Sequence, residues 1–137
     1  ACTLLGLEQA EQIESHYLKG PLFENLVILE IMKGRMNNGL PPYLYFWRDR
    51  TGHEVDLIAE WAGKTRAIEI KYNETLHESF MSNIEYLTHI ATKHNVTSPM
   101  SGYLVYNGHQ KGIFNTIQLV PLDAIHTTFI EESILHR

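Results

Sequence analysis

The sequence predicts a single α/β domain with the element order αβββαββα. Three observations carry this. Residues 22–36 form a strongly apolar run that stops at Asn37-Asn38-Gly39; residues 54–61 and 65–72 both alternate with period two; and apolar positions recur at helical spacing from 76 to about 94.

Taken in order, residues 1–19 read as a short helical lead-in with Leu4, Leu5, Leu7 and Ile13 apolar, and residues 20–137 as the domain proper. Gly20-Pro21 punctuates the chain, since proline is well tolerated at the first position of a helix, where its missing N–H has no partner to lose. The helix over 22–36 follows. Pro41-Pro42 then precedes Tyr43-Leu-Tyr-Phe-Trp-Arg48, an aromatic run typical of a strand. The two alternating segments are joined by Ala62-Gly63-Lys64 and read as a β-hairpin. After the second long helix, residues 103–106 and 113–120 are expected to be strands, with Asn107-Gly108 as the turn between them. Pro121 is expected to open a last short helix that ends in Phe129-Ile130.

Composition narrows the class. With 44% hydrophobic and 20% charged residues, the chain is neither disordered nor a coiled coil. Eleven Lys and Arg against sixteen Asp and Glu leave a charge of −5, which argues against a protein that grips nucleic acid by charge alone. The one cysteine, Cys2, excludes a disulfide framework and a thiolate zinc site, and suits a reducing, cytoplasmic setting. No apolar run approaches the roughly 20 residues that span a bilayer, so no membrane is expected. The chain opens on Ala-Cys-Thr with no initiator Met and reads as part of a longer protein.

The hairpin is where chemistry enters. With Ala62-Gly63 as a two-residue turn, counting back along the strands sets Asp56 opposite Glu69 and Glu54 opposite Lys71, all four on one face. Val55, Leu57, Ile68 and Ile70 then form the opposite, core face. Glu54 and Lys71 make a favourable pair. Asp56 and Glu69 do not, because like charges directly opposed across a ladder repel. A divalent cation would compensate, and two carboxylates plus water suit Mg²⁺ or Mn²⁺. The plain alternative is a solvated polar face. Against it stands Glu24, which shares a helical arc with Val27, Ile28 and Ile31, where an unpartnered acid is costly.

These residues resemble the PD-(D/E)XK nuclease-like superfamily: a helix Glu (Glu24), a strand Asp in Glu54-Val55-Asp56, and Glu-x-Lys in Glu69-Ile70-Lys71. More narrowly, Gly20-Pro-Leu-Phe-Glu-Asn-Leu-Val27, Tyr45-Phe-Trp-Arg48, Gly52-His-Glu-Val-Asp-Leu-Ile58 and Ile68-Glu-Ile-Lys71 resemble the uncharacterised domain that follows an AAA+ ATPase module in many bacterial and archaeal proteins. The resemblance implies a restriction-endonuclease-like core, a mixed sheet of about four to five strands flanked by helices. It also implies Mg²⁺-dependent hydrolysis of DNA phosphodiesters. Asp56 and Glu69 would hold the metal with the Ile70 carbonyl, Glu24 would complete or tune the site directly or through water, and Lys71 would position or activate the attacking water. The partner implied is the chain's own N-terminal ATP-binding module, with DNA as substrate and an oligomer open. The alternative reading is a catalytically inactive nuclease fold serving as an interaction or dimerisation module.

Arg48, Arg50 and Arg66 are the candidate phosphate contacts, because seven basic and five acidic residues between Lys33 and Lys71 make this stretch locally positive. Phe46 and Trp47 read as packing, as do Tyr43, Tyr103 and Tyr106, and His89 and His94 as surface. No Gly-rich phosphate loop and no G-x-S-x-G elbow occurs.

Overall fold

The computed structural model describes residues 19–61, 63–94 and 100–131. Residues 1–18 of the expected lead-in, Cys2 among them, lie outside these, and Lys19 opens the first helix.

Helix α1 (Lys19–Asn37) buries Phe23, Val27, Ile31 and Arg35, one residue per turn along a single stripe. Its end is a Schellman closure. Gly39, at φ 71°, donates its N–H to the Met36 carbonyl (3.0 Å), and Leu40 donates to the Arg35 carbonyl (2.9 Å). The expected stop at Asn37-Asn38-Gly39 is thus a left-handed glycine cap.

Strands β1 (Leu44–Arg48), β2 (Glu54–Trp61) and β3 (Lys64–Lys71) form an antiparallel meander. A 3₁₀ turn (Glu78–Met81) and helix α2 (Ser82–Lys93) follow. Strand β4 (Met100–Tyr106) then runs parallel to β3, as β6 (Ile117–Pro121) does to β4, and β5 (Gly112–Phe114) closes the far edge antiparallel to β6. The result is an open mixed sheet of six strands in the order β1-β2-β3-β4-β6-β5, with helices on both faces.

Six strands rather than four or five arise because the expected strand over 113–120 is two. Asn115 and Thr116 turn it back on itself with φ of 49° and 70°, the left-handed pair that a two-residue hairpin turn demands. Nor is Asn107-Gly108 a turn between neighbouring strands, since β4 pairs with β6 and β5 lies outside. Pro121 ends β6, and the expected last helix is a 3₁₀ turn (Leu122–Ala124) leading into a π-helical turn (His126–Glu131) that buries Phe129 and Ile130.

Two apolar layers sandwich the sheet. Phe23, Val27 and Ile31 of α1 pack with Leu57, Ile68, Ile70, Val105 and Phe129, whereas Ile84 and Leu87 of α2 pack with Val55, Ile58, Ala67 and Leu104. Strand β3 is covered on both faces, so Arg66 through Ile70 are all buried. The second layer is close-fitted at Gly102. A Cβ there would stand 2.7 Å from Cγ2 of Ile84 and 3.1 Å from Cγ1 of Ile117. Gly102→Val is therefore expected to destabilise the domain by about 2 kcal/mol or more, read as a lower urea midpoint.

Candidate active site

The hairpin register runs as the sequence predicts from Trp61↔Lys64 to Leu57↔Ile68. Beyond Leu57 it is side chains that join the strands. The Asp56 N–H donates to Oε1 of Glu69 (3.1 Å), and the Ile70 N–H donates to Oδ2 of Asp56 (2.8 Å). Each carboxylate satisfies a backbone amide in the opposite strand, which anchors both side chains in the gap between β2 and β3.

A β-bulge sets this up. Tyr45 faces Ile58, but Trp47 faces Val55, so β2 carries one residue more than β1 between those pairs. The extra residue reverses the alternation. Val55 leaves the face of Leu57 and packs in the α2 layer with Ile58, which corrects the expectation of one core face holding Val55, Leu57, Ile68 and Ile70. Glu54 and Asp56 instead line a cleft with Glu24, Phe46, Trp47 and Arg48.

The expected Glu54–Lys71 pair is not formed. Glu54 sits beside Arg48 on β1 and accepts its Nη2 at 2.8 Å, both being exposed. Lys71 instead places Nζ 3.6 Å from Oε2 of Glu69. The four sequence-predicted residues thus meet as Asp56, Glu69 and Lys71 around the strand gap, with Glu24 reaching in from α1. Glu24 also borders Lys71 in a second cleft, with Gly20, Ile70 and Phe80.

Burial governs the electrostatics more than the repulsion inferred from the sequence does. Desolvation pushes the Glu69 carboxyl up to about 7, with the Asp56 charge adding to the effect and Lys71 opposing it. Asp56 is raised by desolvation and held back by its bond from Ile70. Glu24 is also raised, first by burial and then by the charge of Asp56.

Two of the three candidate arginines remain at the surface. Arg48 lies in the cleft with the acids, and Arg50 is exposed in the turn between β1 and β2. Arg66 does not. It is 1% exposed, donates from Nη1 to the Trp61 carbonyl (3.1 Å) and lies 4.3 Å from the Trp61 ring, whose ring Arg35 also approaches, at 4.0 Å. Charge alone marked Arg66 as a phosphate contact, but its position in the strand covered on both faces makes it a core residue.

Trp47 packs inward near Tyr86 (6.3 Å between rings), as expected, and Tyr103 and Tyr106 are buried, while His89 and His94 are exposed. Phe46 reverses its reading: it is 76% exposed. The signal was the alternation of β1 itself, which must turn Phe46 out if it turns Trp47 in.

As a donor set, Asp56 at the cleft and the buried Glu69 beside it offer hard oxygens in a desolvated setting. That fits a small hard divalent ion completed by water rather than a thiophilic or imidazole-bound metal. Among the described residues no three of His, Cys, Asp and Glu group as a metal cage; Glu24 lines the cleft beside Asp56.

No helix among the described residues is long and apolar enough to cross a membrane. No curated protein and no solved structure matches the chain. Residues 19–125, which include Glu24, Asp56, Glu69 and Lys71, match a domain of unknown function, DUF4143, that is often found after AAA ATPase modules. The chain belongs to the DUF4143 family.

Proposed function

We propose that this domain is a PD-(D/E)XK-like nuclease module that hydrolyses phosphodiester bonds of DNA with Mg²⁺ and acts beside an AAA+ ATPase module of its own chain. The observation that carries the reading is the reciprocal latch of Asp56 and Glu69 in the strand gap, with the Lys71 ammonium against Glu69. Supporting it are Glu24, electrostatically coupled to Asp56 and Lys71, and Arg48 at the rim.

Asp56 and Glu69 would hold Mg²⁺ or Mn²⁺, with the Ile70 carbonyl, and Glu24 would hold a water of its shell. When bound, the ion lowers the pKa of its water and neutralises charge that develops on the phosphate. Lys71 carries three donors close to Glu69, which suits it to orient a water for attack. The two hydrogen bonds donated by backbone N–H groups hold the carboxylates in place, so little reorganisation is needed.

The test needs no substrate. Mn²⁺ should raise the melting temperature of the wild type, since it binds only the folded site, and Asp56→Asn should erase the rise. Asp56→Asn should also raise the melting temperature of the metal-free domain, because it removes a desolvated charge beside Glu69. Equal melting points for wild type and variant, with and without Mn²⁺, would rule the metal site out.

A second reading, an inactive fold that serves assembly, has one observation in its favour. Helix α1 turns Leu26, Leu29 and Met36 outward at 46%, 53% and 57% exposure. It predicts no Mn²⁺ effect.

A further inference from the structure

Strand β1 is the edge of the sheet beside the acids. Edge strands are commonly blunted with charge, and a large apolar ring left in water there is unfavourable unless something covers it. Phe46 is that ring, at 76% exposure. Two residues on, Arg48 shares its face of the strand, about 7 Å away along the chain direction. Both line the cleft that holds Glu24, Glu54 and Asp56. Leu44, on the same face, packs against the α1 layer, and Trp47, on the other, packs against the α2 layer. The orientation of Phe46 is therefore fixed by two anchored neighbours.

An exposed aromatic face with a guanidinium one strand-repeat away matches a nucleobase and a phosphate of the same strand. Stacking supplies sequence-tolerant affinity, and the guanidinium supplies the charge. Arg48 is now paired with Glu54, but an ion pair this exposed is weak, so a phosphate competes for the guanidinium once a divalent cation offsets the neighbouring carboxylates. A base inside a continuous duplex has both faces covered by its neighbours, so the ring can take only an unstacked base.

We propose that Phe46 and Arg48 form a subsite for single-stranded nucleic acid, with an unstacked base lying on Phe46 and an adjacent phosphate on Arg48, beside the Asp56–Glu69 pair. This deepens the nuclease reading and rests on it for the choice of ligand.

The test uses fluorescence anisotropy, in Ca²⁺ to withhold cleavage, with three labelled probes of equal length: oligothymidylate, the same strand paired with oligoadenylate, and an abasic strand that keeps the phosphates but lacks bases. Wild type should bind oligothymidylate at least tenfold tighter than the other two. Phe46→Ala should erase that preference and Phe46→Trp should restore it. Arg48→Ala should weaken oligothymidylate and abasic binding alike and flatten their salt dependence. If Phe46→Ala binds like wild type, or if wild type ignores the bases, the subsite is overturned. The Mn²⁺ melt separates this from the parent reading. A preserved Mn²⁺ shift with no Phe46 effect leaves the metal site standing and removes the subsite. A Phe46-dependent preference without any Mn²⁺ shift keeps the subsite and removes the metal.

Discussion

The metal-free domain should lose about 3 kcal/mol of stability between pH 4.5 and pH 7, the reverse of the usual carboxylate behaviour. Glu69 titrates at about 7 when folded, against 4.5 for an unperturbed glutamate. Within that window the folded chain keeps a proton that the unfolded chain has released. Stability is therefore complete below the lower value, falls as pH rises through the window and levels off above the upper one. Asp56 and Glu24, raised for the same reason, add to the slope with the same sign. Glu69→Gln keeps an oxygen to accept the Asp56 amide and removes the charge. It should flatten most of the slope and stabilise the protein at about pH 8 by up to about 3 kcal/mol. Urea midpoints for both proteins at about pH 5 and pH 8 decide the matter, and an unchanged slope in the variant would exclude Glu69 as its source. Saturating Mn²⁺ should oppose the trend in wild type, because a cation competes with the proton and favours high pH.

The second large effect is kinetic. If the domain cleaves DNA, Lys71→Ala should lower the rate by at least about a hundredfold, the usual contribution of a positioned proton-handling group. The Mn²⁺-induced rise in melting temperature should survive, since Lys71 is not a ligand. Asp56→Asn should lose both. Metal-dependent cleavage that persists in both variants would mark a contaminating enzyme. A loss of the Mn²⁺ shift in Lys71→Ala would place the lysine in the folding of the site rather than in its chemistry.

Much of this was legible before the fold. Once a two-residue turn at Ala62-Gly63 is assumed, the period of a strand brings Asp56 and Glu69 together, and the arc of α1 carries Glu24 alongside Val27 and Ile31. The observed register agrees as far as Leu57↔Ile68. It departs where β1 imposes a bulge on β2, because a bulge is decided by a cross-strand fit that neither strand spells out alone. The Glu54–Lys71 pair fails for that reason. The hairpin at Asn115-Thr116 lacks the glycine that usually marks such a turn, so in the sequence its two strands read as one. Arg66 and Phe46 were exchanged in their surroundings. The basic residue lies in the core beside Trp61 and the aromatic one lies in water, since burial follows sheet position and not side-chain character.

The amides of Asp56 and Ile70 bond to carboxylate side chains and not to carbonyls. Their hydrogen exchange is thus a direct gauge of those carboxylates, readable by NMR with no substrate and no label. Protonation of Glu69 or withdrawal of either carboxylate toward another partner weakens the acceptor, and the protection of the corresponding amide should fall relative to that of Ile68, inside the regular ladder, at the same pH. The stitching between two central strands is thereby tied to the state of the acids. Whatever binds or protonates them also sets how readily this seam of the sheet opens.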